Sequence, residues 1–271
     1  MLLQTKNILR DADGGTVVYH RYGNGPRVLT ALHSLALDGT WYQPLAAALG
    51  EQYTVLAPDF RGHGESLVGG AEISLAQVAR DVNAMWEAEN VEHSVIMGIS
   101  LGGMVAQAVT GSYPDKVRAQ ILMATRGAYD QAAATATTAR SAEVRAEGGM
   151  EAVQDATMFR WFGEKSNNPA DELVKRARAQ FLNAGGEVIG SYFEAMTRVG
   201  DFAVDTPPPT LVLGGDDDRS TSRAVLEALA ASIPGAELDF ATGGHLVAFE
   251  NPEIVAERLS PFLDRLSWDR G

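Results

Sequence analysis

The chain has 271 residues, no cysteine and a net charge of −13. Its length suffices to bury the core of one sizeable domain, and the missing cysteines exclude disulfides, thiol catalysis and cysteine-bound metals. The negative charge argues against nucleic-acid binding, because phosphates would be repelled. We find no run of about eighteen apolar residues and no secretory signal, so we expect a cytoplasmic protein without a membrane span.

Short apolar runs alternate with helical patterns along the first part of the chain. Strands are predicted at 16–22, 27–32, 53–58, 94–97 and 117–124, and helices at 43–49, 75–89 and 101–113. Later strands are predicted at 209–215 and 236–241, before a helix that begins near residue 252. This alternation is typical of a mainly parallel, twisted sheet flanked by helices, with a ligand at the carboxyl ends of its strands.

The segment 98–102 reads Gly-Ile-Ser-Leu-Gly and joins a predicted strand to a predicted helix. A G-x-S-x-G sequence in that context is typical of a nucleophile elbow, in which a tight turn presents the serine hydroxyl. Serine becomes nucleophilic only when a neighbouring base takes its proton. Ser100 therefore predicts a histidine and a carboxylate elsewhere. The alternative is a glycine-rich turn that carries an ordinary surface serine.

The alternation stops after residue 124, and we find no strand pattern before about residue 200. Helices are predicted there at 131–147, 149–161, 169–183 and 187–197. We interpret residues 126–201 as an all-helical cap inserted into a core of residues 1–125 and 202–271. A cap over the site would shape the pocket and exclude water. Trp161 is the predicted pocket residue; the alternative is that the cap aromatics only pack the cap onto the core.

Two loops near the C-terminus offer partners for Ser100. One late strand runs into three aspartates at 216–218, and the next runs into His245. Among the five histidines, His245 alone lies in a late strand-to-helix loop, so we predict it to be the base. A carboxylate must orient its imidazole. Spacing favours Asp218, and we interpret the other two aspartates as solvent-facing.

Together these motifs resemble the α/β-hydrolase superfamily. The resemblance rests on the elbow, on an Asp-Phe-Arg-Gly-His-Gly-Glu-Ser turn at 59–66, on the acid loop at 215–218 and on Gly244-His245. It implies the α/β-hydrolase fold and a triad of Ser100, Asp218 and His245. It also implies an oxyanion hole made by the N–H groups of Leu35 and Leu101, and no metal or organic cofactor.

The segment 33–38, followed by Trp41, is similar to the N-S-L-G loop of 3-oxoadipate enol-lactonases, which open a small anionic lactone. Here His33 replaces the asparagine and Ala36 the glycine. We interpret His33 as a residue that anchors the loop. The resemblance implies that Arg126, or another cap arginine nearby, binds a substrate carboxylate.

The residues thus predict a serine hydrolase that cleaves an ester or lactone of a small molecule through an acyl-enzyme on Ser100. The same triad also serves C–C bond hydrolases of ring-cleavage products, cofactor-free haloperoxidases that form peracids, and slow-turnover small-molecule receptors. These alternatives stay open, as does assembly into a homo-oligomer. Dehalogenases and epoxide hydrolases are not expected, because they carry an aspartate in place of Ser100.

Overall fold

A computed structural model of the protein describes residues 4–11 and 14–268. Its strands are β1 (Gln4–Arg10), β2 (Thr16–Tyr22), β3 (Arg27–Leu32), β4 (Tyr53–Pro58), β5 (Ser94–Ile99), β6 (Val117–Met123), β7 (Thr210–Gly215) and β8 (Glu237–Ala241). They form one sheet in the order β1-β2-β4-β3-β5-β6-β7-β8. The pairs β1–β2 and β2–β4 are antiparallel, and all the others are parallel. The mainly parallel sheet agrees with the prediction.

The described residues also form ten α-helices. They are α1 (Gln43–Leu49), α2 (Leu75–Ala88), α3 (Leu101–Ser112), α4 (Gln131–Arg145), α5 (Gly149–Phe162), α6 (Glu172–Ala184), α7 (Gly186–Met196), α8 (Arg223–Ser232), α9 (Val247–Glu250) and α10 (Pro252–Asp264). α2 packs against α3, and α1 packs against α10. Within the described residues, no helix combines the length and the apolar character needed to cross a lipid bilayer.

The central strands are buried and the first edge strand is not. All six residues of β4 and all six of β5 are buried, as expected for parallel strands covered on both faces. β1 has mostly exposed side chains and pairs only with β2. Such an edge strand lacks the apolar pattern on which the sequence analysis relied, which explains why β1 was not predicted.

Four helices, α4 to α7, lie between the end of β6 and the start of β7, and we call them the cap helices. In this part of the described chain there is no strand, as predicted. α4 packs against α7, and α5 packs against α6. Two of these helices begin at a carboxylate cap: Asp130 accepts the N–H of Ala133 at 2.7 Å, and Asp171 accepts the N–H of Leu173 at 3.0 Å. The division into core and cap at residues 126 and 201 stays a prediction.

Candidate active site

Ser100 lies on the sharp turn between β5 and α3, with φ 56° and ψ −117°. This backbone conformation is strained for any residue with a side chain, so the surrounding structure must hold it. The Ser100 N–H donates to the carbonyl of Met123 at 2.9 Å, and its carbonyl accepts the Thr125 hydroxyl at 2.7 Å. Both partners lie at or just beyond the end of β6, which fixes the turn against the sheet.

Two glycines make room for this turn. A Cβ atom on Gly98 would lie 2.1 Å from the carbonyl oxygen of Gly102, and one on Gly102 would lie 2.0 Å from that of Leu32. Real Cβ atoms do not approach backbone oxygen so closely. The start of α3 is therefore packed directly onto β3 and β5, and this packing presents the Ser100 side chain at the carboxyl ends of the strands.

The structure brings Ser100, His245 and Asp218 together. Nε2 of His245 lies 2.9 Å from Oγ of Ser100, and Nδ1 lies 3.1 and 3.0 Å from the two carboxylate oxygens of Asp218. The side chains of His245 and Asp218 are each 2% exposed. When Nδ1 donates its proton to the carboxylate, Nε2 is left to accept the serine proton, which is the geometry that a catalytic triad requires.

Backbone N–H groups hold the Asp218 carboxylate. Its Oδ1 accepts from the N–H of Ser220 at 2.7 Å and from that of Thr221 at 2.8 Å. The neighbouring aspartates differ: Asp216 accepts the N–H of Gly243 at 3.0 Å, and the Asp217 side chain is 69% exposed. Asp218 is the only aspartate of the three that contacts His245 among the described residues.

The histidine loop also contacts the cap. The N–H of His245 donates to the carbonyl of Trp161 in α5 at 3.2 Å. The N–H of Gly244 donates to the Glu250 carboxylate at 3.0 Å, and Lys165, just after α5, lies 2.7 Å from the same carboxylate. The Glu250 side chain is 2% exposed, whereas that of Lys165 is 52% exposed, so the carboxylate is buried and the ammonium group stays in contact with water.

The two predicted oxyanion donors lie in suitable backbone settings. Leu101 is the first residue of α3, where an N–H has no partner within the helix. No hydrogen bond found among the described residues uses the N–H of Leu35. The turn after Leu35 is tight, because Ala36 has φ 62° and the N–H of Leu37 donates to the Ser34 carbonyl at 3.2 Å. The role of both donors stays a prediction.

The buried imidazole of His33 holds the loop that contains Leu35. Nδ1 of His33 lies 2.7 Å from the Ser34 carbonyl, and Nε2 lies 2.9 Å from the backbone nitrogen of Phe60. Burial lowers the pKa of His33, so the ring stays neutral and donates through Nδ1 while accepting at Nε2. His33 thereby joins its loop to the turn at 59–66.

The turn at 59–66 is itself a buried polar cluster. Asp59 accepts the N–H of Gly39 at 2.8 Å and that of Glu65 at 3.1 Å. Burial alone would raise the pKa of Asp59, but His20, whose Nε2 lies 3.3 Å from Oδ1, and these backbone donors lower it. Burial and the neighbouring His33 lower the pKa of His63 to about 3.

The two predicted substrate-binding residues differ in position. Trp161 adjoins the triad through its carbonyl, and its ring meets Phe181 edge-on with centroids 6.0 Å apart. The Arg126 guanidinium lies 4.5 Å above the Tyr129 ring and lines a cavity of about 440 Å³ between α3 and α8. The described residues that line this cavity include none of Ser100, Asp218 and His245. Substrate binding by either residue stays a prediction.

Sequence reasoning missed two supporting residues. Thr125 holds the strained Ser100 carbonyl, but it follows β6 without any motif. Glu250 holds Gly244, although the sequence analysis gave it no function. Within residues 4–11 and 14–268, no group of three or more His, Asp or Glu side chains is arranged to hold a metal ion.

The fold agrees with the comparisons to known proteins. The chain belongs to the alpha/beta hydrolase family, whose model matches residues 31–258. It is 28% identical over 245 residues to 3-oxoadipate enol-lactonase 1 of Acinetobacter baylyi, which covers 89% of this chain and 91% of that enzyme.

Solved structures show the same likeness. A hydrolase from Pseudomonas aeruginosa PA01 superposes with a TM-score of 0.84 at 27% identity, covering 96% of this chain and 98% of the other. The enol-lactonase from Burkholderia xenovorans LB400 gives a TM-score of 0.85 at 24% identity, covering 96% and 100%. The predicted α/β-hydrolase fold is confirmed, and membership of this family supports the prediction that the chain is a hydrolase.

Proposed function

We propose that the protein is a serine hydrolase that cleaves an ester or lactone of a small molecule through an acyl-enzyme on Ser100. The observation that carries this proposal is the 2.9 Å contact between His245 Nε2 and Ser100 Oγ, backed by Asp218 at 3.0 Å. A nucleophile, a base and the group that orients the base are the minimal set for acyl transfer.

The reaction follows from this arrangement. Nε2 of His245 accepts the hydroxyl proton as Oγ of Ser100 attacks the carbonyl carbon, and Asp218 stabilises the resulting imidazolium. The N–H groups of Leu35 and Leu101 hold the oxyanion of the tetrahedral intermediate. His245 then protonates the leaving oxygen, which leaves an acyl-enzyme. Finally His245 takes a proton from water as the water oxygen attacks the acyl carbon. The bond from that carbon to Oγ then breaks, and His245 returns the proton to Ser100.

The finer part of the proposal is an enol-lactonase-like substrate, a small lactone that carries a carboxylate. Its support is the likeness to 3-oxoadipate enol-lactonase 1 over 89% of this chain. Arg126 is the cap arginine predicted to bind that carboxylate. Arg160 is a second candidate, because it is half-buried, adjoins Trp161 in α5, and donates to the hydroxyl of Thr157 at 2.9 Å.

Arg126→Gln and Arg160→Gln separate these two candidates. The variant that removes the carboxylate-binding residue is expected to raise KM about tenfold or more for an anionic lactone, while KM for a neutral p-nitrophenyl ester stays unchanged. Unchanged KM values in both variants would contradict an anion-binding role for either residue.

The proposal is tested by screening esters, lactones and vinylogous diketones with wild type and Ser100→Ala. We expect ester or lactone hydrolysis that falls at least about 10⁴-fold in the variant. Ser112→Ala, an exposed serine at the end of the same helix, is the matched control and should keep full activity. Turnover of diketones alone would indicate a C–C hydrolase, peracid formation a perhydrolase, and a single slow turnover a receptor.

The same proposal includes a cytoplasmic location, a small-molecule substrate and no nucleic-acid partner. It is supported by the absence of cysteine and by the net charge of −13. Fractionation of the producing cells would test the location, and recovery in the exported fraction would contradict it.

A further inference from the structure

A polar cluster joins α6 of the cap to the segment that follows Leu35. Asp38 is at its centre and caps the short 3₁₀ turn Gly39–Tyr42 by accepting the N–H of Thr40 at 2.9 Å. The Thr40 hydroxyl donates to the same oxygen, and two further partners of the carboxylate come from α6. Nη2 of Arg176 lies 3.4 Å from Oδ1, and Nε2 of Gln180 donates to Oδ2.

Trp41 closes the cluster. The Arg176 guanidinium lies 4.2 Å above the Trp41 ring, and Nε1 of Trp41 donates to Oε1 of Gln180 at 2.6 Å. Arg176 and Gln180 are one turn apart and so share a face of α6. Asp38 is only 9% exposed, and hydrogen bonds to a shielded carboxylate are strong and directional. The contacts of Arg176 and Gln180 with Asp38 and Trp41 therefore hold α6 in one position on the core.

This cluster adjoins two parts of the candidate active site. Asp38 lies three residues beyond Leu35, across the tight turn in which Ala36 has φ 62°. On the other side, the Trp41 ring packs against Phe249, with centroids 5.4 Å apart, and Phe249 lies four residues beyond His245. A shift of Asp38 would therefore move Leu35 through three residues of backbone. A shift of Trp41 would reach the segment that carries His245 through the ring contact with Phe249.

We propose that Arg176 and Gln180 are positioning residues for the serine hydrolase reaction: by binding Asp38 and Trp41, they hold the Leu35 N–H where the oxyanion forms. Neither residue is a catalytic residue, since each acts through Asp38 and Trp41. The inference rests on the proposed function. It implies that the oxyanion hole is complete only while α6 is docked on the core, which couples cap position to chemistry.

Arg176→Gln tests this inference, with Arg178→Gln as a matched control on the same helix. The two arginines have similar side-chain exposure, 38% and 34%, but Arg178 pairs with Asp155 of α5, within the cap. The readouts are kcat and KM for p-nitrophenyl butyrate and the rate of Ser100 phosphonylation by a fluorophosphonate, both normalised by active-site titration.

We expect kcat and the phosphonylation rate of Arg176→Gln to fall about tenfold to 100-fold, because loss of one oxyanion donor costs about 10²–10³-fold. KM should change less than about threefold, and Arg178→Gln should stay within about twofold of wild type. Arg176→Lys keeps the charge and is expected to recover part of the loss. Gln180→Met preserves the bulk of the side chain and should lower kcat in the same direction.

The outcomes separate this inference from the proposed function. A wild-type protein whose Ser100 is not phosphonylated would refute both. Normal phosphonylation of wild type with an equal rate in Arg176→Gln would overturn the positioning role alone. A variant that loses only active fraction or melting temperature, with kcat per titrated site unchanged, would show that the cluster is merely structural. A double-mutant cycle on kcat combines Arg176→Gln with Asp38→Asn. A double variant that is no slower than the slower of the two single variants would support the proposal.

Discussion

Replacement of Asp218 by asparagine reverses one hydrogen bond and leaves the shape of the side chain nearly unchanged. The N–H groups of Ser220 and Thr221 donate to Oδ1 at 2.7 and 2.8 Å, so the amide oxygen of the asparagine is expected to take that position. Its NH₂ group then takes the place of Oδ2, which at 3.0 Å is the nearer of the two oxygens to Nδ1 of His245, since Oδ1 lies at 3.1 Å. A donor at this point favours the tautomer with the proton on Nε2. That tautomer is unable to accept the proton of Ser100.

The expected cost is about 10⁴-fold in kcat, or about 5.5 kcal/mol of transition-state stabilisation. The assay is steady-state hydrolysis of p-nitrophenyl butyrate near pH 7.5, with folding checked by circular dichroism. Asp217→Asn is the matched control: its side chain is 69% exposed and should leave kcat within about twofold of wild type. Activity of Asp218→Asn within tenfold of wild type, or an equal loss in Asp217→Asn, would refute the reasoning.

Three further variants test the surrounding structure by chemical denaturation. Gly98→Ala should lose about 3 kcal/mol or more, because its Cβ would lie 2.1 Å from the Gly102 carbonyl oxygen. Ser34→Ala should gain about 1 kcal/mol, because the buried Ser34 hydroxyl has no hydrogen-bond partner among the described residues. His63→Gln should reduce the pH dependence of unfolding. Because burial lowers the pKa of His63 from 6.5 to about 3, its contribution to wild-type stability is present above pH 6.5 and is lost towards pH 3, by about 1.4 kcal/mol per pH unit.

Each of these variants has an outcome that contradicts its physical reason. The control for Gly98→Ala is Gly200→Ala, because a Cβ atom on Gly200 would meet its nearest neighbour only at 3.8 Å. Equal stability of the two variants would contradict the packing argument. A loss of stability in Ser34→Ala would show that the hydroxyl makes a bond. If the free energy of unfolding of His63→Gln depended on pH as in wild type, a group other than His63 would take up the protons on unfolding.

Sequence patterns predicted the buried part of the fold well, because the central strands and their flanking helices carry strong periodicity. The predicted bounds of β2, β3 and β4 agree with the structure, and β5 extends two residues further than predicted, to Ile99. β1 escaped prediction since its side chains are mostly exposed. α8 was also not predicted; its buried residues are few, Leu226 and Leu229.

Local motifs predicted that Ser100, Asp218 and His245 meet, as they do in the structure, whereas the contact between α6 and the segment after Leu35 was not visible in the sequence. Ser100, Asp218 and His245 each follow a strand, and the ends of parallel strands meet at one edge of the sheet. Arg176 is far from Asp38 along the chain, and helical periodicity shows which residues share a face without showing what that face meets. The position of Arg126 likewise depends on how the chain leaves β6, which no local pattern encodes.

The central claim is that Ser100 carries the acyl group during turnover. Acid quenching of wild-type protein during hydrolysis of a p-nitrophenyl ester, followed by peptide mass spectrometry, measures this directly. The account predicts one acyl group on the peptide that contains Ser100, and neither adduct nor turnover in Ser100→Ala. Continued hydrolysis by that variant, or an acyl group on any other residue of wild type, would contradict it.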